Sequence, residues 1–381
     1  MTLKLARRGL IPPFIVMDVL RAANERAAAG ADILHLEVGQ PSTAAPKGAL
    51  EAARRALADD ALGYTETLGL PALRSAIAVH YQRDYGVAVD PRRIVVTTGS
   101  SAGFVLGFLA AFDPGDRIAL ATPGYPAYRN ILTALGLVPV EVPIGAADDF
   151  RPTLDLLERA GDGIEGMILA SPANPTGTMI APAELARLAE GCAARGVRLV
   201  SDEIYHGIVY GESAATALAS GDQAIVINSF SKYYSMTGWR IGWMVVPPDM
   251  LRAVECLAQN LYVAPPTLAQ HAAAAAFACR DELDGNVARY AENRALLLAE
   301  LPKAGIERCA PADGAFYLYA DVAHLTNDSR DFCQRMLAEI GVACTPGIDF
   351  DRNGEGSLRL CYAGSTATIA EAARRIHNWR R

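Results

Sequence analysis

The stretch AIVINSFSK, residues 224–232, runs through β-branched residues without polar alternation and then reaches Ser229, Ser231 and Lys232. An unbroken apolar run of this length reads as a strand buried on both faces. A lysine just beyond such a strand must be paired, neutralised or used covalently, because burial disfavours the ammonium form. Outward from this point, comparable runs recur between Ile94 and about Pro248: RIVVTTG, DRIALATPG, VPVEVPI, GMILASPANP, VRLVSDEIY and RIGWMVVP. Helical segments separate them, which predicts an α/β fold with a mainly parallel sheet. Polar groups collect at the C-terminal ends of the runs, namely Asn174, Asp202 with Tyr205, and Ser229 with Lys232. That edge of an open α/β sheet is where ligands bind.

The flanking segments have a different texture. Met17 to Ala29 has helical spacing and stops at Gly30, and ILHLEVGQP reads as a strand entering a turn. Leu50–Ala58 and Leu70–Tyr81 are expected as amphipathic helices with GYTETLG looping between them, and Gln259 to about Glu300 as largely helical. GAFYLYADV and SLRLCYAG are strand-like within a C-terminal α+β region. The expected division is a large α/β domain over 46–285 and a smaller α+β domain formed by 1–45 with 286–381.

Composition removes several functional classes. With 381 residues, 51% hydrophobic and 20% charged, the chain can bury a sizeable core. The net charge of -7, with scattered basic residues, offers no footprint for nucleic acid or an anionic membrane, and the pairs Arg92–Arg93 and Arg380–Arg381 are expected to be solvated. Seven cysteines without a CxxC pair and six histidines without HxxxH spacing suggest neither a zinc site nor a disulfide framework, so a reducing cytoplasm is expected. LIPPFIVM is interrupted by prolines and followed by Asp18, unlike a signal peptide, and FVLGFLAAF is far short of the ~20 residues a membrane-spanning helix needs. No GxGxxG follows an early strand and no GxxxxGK[ST] occurs, which argues against a dinucleotide-binding dehydrogenase and a P-loop enzyme.

Taken together, Asn174, Asp202, Tyr205, Lys232, Arg240 and Arg359 resemble the motifs of the class I/II aminotransferases, pyridoxal-phosphate enzymes of fold type I in the aspartate aminotransferase superfamily. The resemblance runs from Gly39 to Arg359 with motifs in the family's order. It implies a large domain with a seven-stranded, mainly parallel sheet, pyridoxal 5'-phosphate as cofactor, and a homodimer with shared active sites. On that likeness Lys232 would bind the cofactor aldehyde covalently and, once freed, shuttle a proton between the substrate α-carbon and the cofactor's C4' carbon. Asp202 would keep the pyridine nitrogen protonated, with Glu203 the weaker candidate because neighbours on an extended segment face opposite ways. Tyr205 and Asn174 would donate to the phenolate oxygen, and Tyr125 would stack on the ring.

For the phosphate, the resemblance implies Ser229, Ser231 and Arg240, with the backbone N–H groups of Ser100, Ser101 and Ala102 in GSSAG, and Tyr64 reaching across from the other chain. Arg359 would take the substrate α-carboxylate bidentately, and Gly39 would leave room beside it. Neither FVLGFLAAF nor IPPFIVM supplies a second cation for a distal carboxylate. The expected reaction is therefore transfer of an amino group from an apolar or aromatic L-amino acid to a 2-oxo acid such as 2-oxoglutarate, with Ile15, Val16 and Tyr64 as candidate pocket residues. Aspartate transamination, or β-elimination or decarboxylation on the same fold, are the alternatives. A cofactor-binding regulatory module is disfavoured by the presence of both Lys232 and Arg359.

Overall fold

A computed structural model describes residues 3–59 and 61–379. Twelve strands are assigned among them: β1 Leu34–His35, β2 Ile94–Thr97, β3 Arg117–Thr122, β4 Val138–Pro143, β5 Ile164–Ala170, β6 Arg198–Asp202, β7 Ile225–Ser229, β8 Gly242–Val245, β9 Tyr317–Asp321, β10 Val342–Ala343, β11 Thr345–Pro346 and β12 Ser357–Cys361. Seven of them form one sheet in the order β2-β8-β7-β6-β5-β3-β4, with β8 antiparallel to both neighbours and the remaining pairs parallel. All seven expected runs are in it. Alternation explains their unbroken apolarity: Ile225 and Ile227 of β7 join the apolar cluster on one face, and Val226 joins the cluster on the other.

The first five helices are α1 Ile15–Ala28, α2 Lys47–Asp59, α3 Pro71–Tyr85, α4 Ser100–Ala111 and α5 Pro126–Leu135. α4 leaves β2 through Gly99 and α5 leaves β3 through Tyr125, so both begin at the ligand-binding edge of the sheet. The helical stretch expected from Gln259 is broken at Tyr262–Pro266, where Val263 takes φ 64° and two prolines follow, and resumes as Thr267–Ala276 and Arg280–Glu300. The run GDGIEG, Gly161–Gly166, leads into β5, the reverse of the strand-to-helix order of a dinucleotide-binding turn.

A second layer brings the chain ends together. β11, β12 and β9 form an antiparallel sheet, and β1 pairs in parallel with β10. Their core includes Leu36, Phe316, Leu318, Val342, Leu360 and Ile376. Arg93 departs from its expected solvated place: it is buried, its Nε donates to the Val246 carbonyl at 2.9 Å, and it pairs with Asp222. Arg92 is exposed, as expected, and the Arg380–Arg381 pair lies outside the described residues. Among the described residues no helix is long and apolar enough to cross a membrane.

Candidate active site

The C-terminal ends of β2, β3, β5, β6 and β7 converge on one cavity, closed on its far side by α1, Val38–Gly39, Tyr317 and Arg359. Lys232 sits three residues past β7, half-buried, and its Nζ donates to the Gly39 carbonyl at 2.6 Å. Burial lowers its pKa to about 8, with the cations Arg359 and Arg240 acting in the same direction. The amine therefore gives up its proton far more readily than a surface lysine.

Asp202 ends β6 and is buried. Its Oδ2 accepts from the Tyr128 hydroxyl and its Oδ1 from the Ile204 N–H at 3.0 Å. Burial raises its pKa to about 6, offset in part by those two donors. Its neighbour Glu203 points behind the sheet, accepting from Thr216 Oγ1 at 3.0 Å and the Ala217 N–H at 2.9 Å. The expected opposition of these two side chains is what the fold displays.

Tyr205 lines the cavity and shares a 2.6 Å hydrogen bond with the Tyr317 hydroxyl. Asn174 accepts from Arg359 Nη1 at 2.8 Å through Oδ1, which leaves its amide NH2 as a donor. Arg359 is almost fully buried on β12; its Nη2 donates to the Glu37 carbonyl at 2.6 Å and to Thr345 Oγ1 at 3.2 Å. Its guanidinium lies over the rings of Tyr317 and Phe350 at 4.4 and 5.0 Å, and Nε is buried with no partner among the described residues. A buried guanidinium that retains an unmatched donor is suited to a carboxylate.

Opposite lies an anion cradle. The first-turn N–H groups of α4, at Ser100, Ser101 and Ala102, have no acceptor within the helix. Ser100, Ser101, Ser231, Thr237 and Arg240 line the cavity here. Gly99 is required by its φ of 84°, and a Cβ there would also stand 2.4 Å from Arg240 Nη2 and push that side chain aside.

Two expected positions, Ser229 and Ile15, do not line the cavity. The Ser229 hydroxyl donates to Ser231 Oγ at 2.9 Å and is close to the Ile241 carbonyl at 3.1 Å, so it backs Ser231 instead of lining the cavity. Ile15 is absent from the wall whereas Val16 is in it, since helical neighbours point about 100° apart. Tyr64 is 88% exposed and outside this chain's cavity, so it is no pocket residue of its own chain; its expected place is the partner's phosphate site. Gly39 does line the cavity, but the atom its missing Cβ would strike, at 1.7 Å, is the Tyr317 hydroxyl. Its smallness lets Tyr317 reach Tyr205. The sequence reading also missed Tyr128 and Tyr317; the first lies in the opening turn of α5, three residues beyond the N-cap Tyr125, whose ring it meets at 5.3 Å, and was locally detectable.

The family model for aminotransferase class I and II matches residues 31–376. The chain belongs to the class I and II aminotransferases. It is 52% identical, over 100% of its length and 99% of the relative, to the valine–pyruvate aminotransferase of Mycobacterium tuberculosis. A crystal structure of an aminotransferase from Mycobacterium tuberculosis superposes with TM-score 0.97 at 52% identity, covering 99% of both chains. The aspartate aminotransferase of Thermus thermophilus, solved with maleate, gives TM-score 0.94 at 31% identity, covering 99% of this chain and 100% of that one. Aminotransferases of this fold use pyridoxal phosphate. The cavity fits that group: an anion cradle at one end, an anionic Asp202 whose partners are a hydroxyl and an N–H rather than a cation, and a deprotonatable amine between them.

Proposed function

We propose that this aminotransferase takes its amino group from a small or branched apolar L-amino acid, with valine as the leading donor, and delivers it to a 2-oxo acid without a distal carboxylate, such as pyruvate. One observation carries this reading. The cavity's three cationic side chains are each engaged by a common part of the reaction, Lys232 by the amine, Arg240 by the phosphate and Arg359 by the α-carboxylate, while Phe14, Val16, Met17 and Val38 make the side of the wall next to α1 apolar. A distal carboxylate would be desolvated there without a partner. The name of the Mycobacterium tuberculosis relative agrees with this choice.

When bound, pyridoxal phosphate supplies an aldehyde for the donor's amine and a ring that accepts electrons from its α-carbon. In this reading Lys232 would be the covalent anchor and, once freed, would take the proton from the donor's α-carbon and hand it to the carbon that was the cofactor's aldehyde. Asp202 holds positive charge at the ring nitrogen, and Tyr128 fixes the carboxylate in that orientation. Tyr205 and the Asn174 amide would donate to the phenolate oxygen, Tyr125 would pack on the ring, and Ser100, Ser101, Ala102, Ser231 and Arg240 would receive the phosphate. Arg359 orients the donor so that the α-hydrogen points toward Lys232.

We further propose a homodimer with Tyr64 donated to the partner's site, a chain divided into 46–285 and 1–45 with 286–381, and a cytoplasmic location. The separate apolar cluster around Phe316 and Leu360 supports the division, and seven free cysteines suit a reducing compartment. The substrate reading is tested by single-turnover absorbance of the holoenzyme mixed separately with valine, alanine and aspartate, with mass analysis of the oxo acid formed. Valine is expected to react at least roughly tenfold faster than aspartate, corresponding to about 1.4 kcal/mol. Aspartate reacting as fast as valine would leave the enzyme class standing and sink the apolar pocket.

A further inference from the structure

α1 begins without a cap of its own: its N-cap residue is Phe14, which has no side-chain acceptor. The acceptor arrives from the far end of the chain. Asp349, only 3% exposed, takes the Ile15 N–H on Oδ1 at 2.9 Å and the Val16 N–H on Oδ2 at 3.1 Å. Its negative charge also lies at the positive end of the helix dipole. The residues beside these two amides, Phe14, Val16 and Met17, line the cavity, and the Phe14 ring meets Tyr125 edge-on at 5.8 Å.

The turn carrying Asp349, Gly347–Phe350, also touches the carboxylate-binding arginine. Phe350 lies 5.0 Å from the Arg359 guanidinium, and its carbonyl accepts the Gly124 N–H at 3.3 Å, just before Tyr125. The turn has little freedom to drift. A Cβ on Gly347 would stand 1.9 Å from the Gly354 carbonyl oxygen, and Asp351 holds φ 138°, a region seldom entered by residues other than glycine. Phe350 is in the same small apolar cluster as Ala310 and Tyr319. One rigid turn thus references both the arginine that grips the donor's α-carboxylate and the helix whose side chains would face the donor's side chain.

We propose that Asp349 is a positioning residue for donor selection, fixing the start of α1 and with it the apolar wall that distinguishes a branched donor from alanine. The proposal rests on the apolar-pocket reading above. Valine carries two more side-chain carbons than alanine, worth about tenfold in discrimination if the wall encloses them. Loosening α1 should remove that advantage selectively.

The test compares wild-type holoenzyme with Asp349→Ala and Asp349→Asn. First-turn amides have no acceptor within their helix, so protection of Ile15 and Val16 from hydrogen exchange reports the Asp349 cap itself. Asp349→Ala is expected to exchange roughly tenfold faster at both amides. Its KM for valine should rise about fivefold or more relative to its KM for alanine, with kcat for the two donors falling by less. Asp349→Asn keeps one accepting oxygen and should lie between, which guards against a variant that merely folds poorly. Faster exchange with equal KM changes for valine and alanine would overturn the proposal while sparing the pocket reading. Unchanged exchange would overturn it outright, whereas a wild-type enzyme preferring aspartate would overturn the pocket reading first.

Discussion

Asp202 and Glu203 are chemically similar neighbours assigned to different environments. Asp202 faces the cavity with its pKa raised to about 6; Glu203 is sealed behind the sheet with its pKa raised to about 8, chiefly by burial. Its Oε2 is buried and without a partner among the described residues, and His206 Nδ1 stands 3.6 Å away, with burial lowering that imidazole to about 3. At neutral pH the folded protein therefore holds Glu203 largely protonated and His206 neutral. A carboxyl whose folded pKa lies above its unfolded value binds more protons in the native state, so its contribution to stability falls as pH rises from about 4.5 toward 8. Glu203→Gln should remove that loss. Relative to wild type, the variant should gain stability between pH 5 and pH 8, on the order of a few kcal/mol, while the pH dependence from His206, which runs from about 3 in the fold to 6.5 in the unfolded chain, is common to both proteins and cancels from the difference. Urea midpoints of both proteins at the two pH values check this; a constant difference would mean that Glu203 is ionised in the fold.

At the scale of elements, the β2–Gly99–α4 turn shows why part of the site could be read and part could not. Strands buried on both faces leave continuous β-branched runs, and the helix start after GSSAG is visible in composition, so the sheet edge and its anion cradle were legible. Asp202 against Glu203 was legible too, from the two-residue period alone. Tyr317 was not: it meets Tyr205 across 112 residues of chain, through a sheet whose pairing no local pattern encodes. The same holds for Asp349, whose bond to Ile15 spans 334 positions. Gly99 is where local geometry makes the firmest demand. In Gly99→Ala the added methyl needs a left-handed backbone, costing about 1–3 kcal/mol, and collides with Arg240 Nη2. Cofactor Kd, followed by absorbance during dialysis, should rise by roughly tenfold or more. Ser101→Ala, which keeps the backbone N–H, should change it much less; equal effects would imply that the Ser101 hydroxyl, not the turn, holds the phosphate.

At the scale of the whole molecule, Tyr64, the most exposed large aromatic among the described residues, lies on a segment tied to the one that carries Leu261 and Val263, which are 50% and 49% exposed. The ties are the Thr267 hydroxyl on the Gly63 carbonyl at 2.6 Å and the Thr67 hydroxyl on the Val263 carbonyl at 2.8 Å. Apolar side chains left on a well-tied surface mark an interaction face, and the proposed dimer would cover this one and carry the Tyr64 hydroxyl to the partner's phosphate. Packing and hydrogen bonding separate in two substitutions. Tyr64→Phe keeps the ring and loses the hydroxyl; a hydrogen bond to a charged group contributes about 1.5–3 kcal/mol, so cofactor Kd should rise roughly tenfold or more with the sedimentation coefficient unchanged. Val263→Asp puts a charge into the proposed interface and should shift the protein toward monomer, weakening cofactor binding at low concentration and recovering it as concentration rises. If Tyr64→Phe binds the cofactor as wild type does while Val263→Asp dissociates, the face packs two chains together but each site is complete within its own chain.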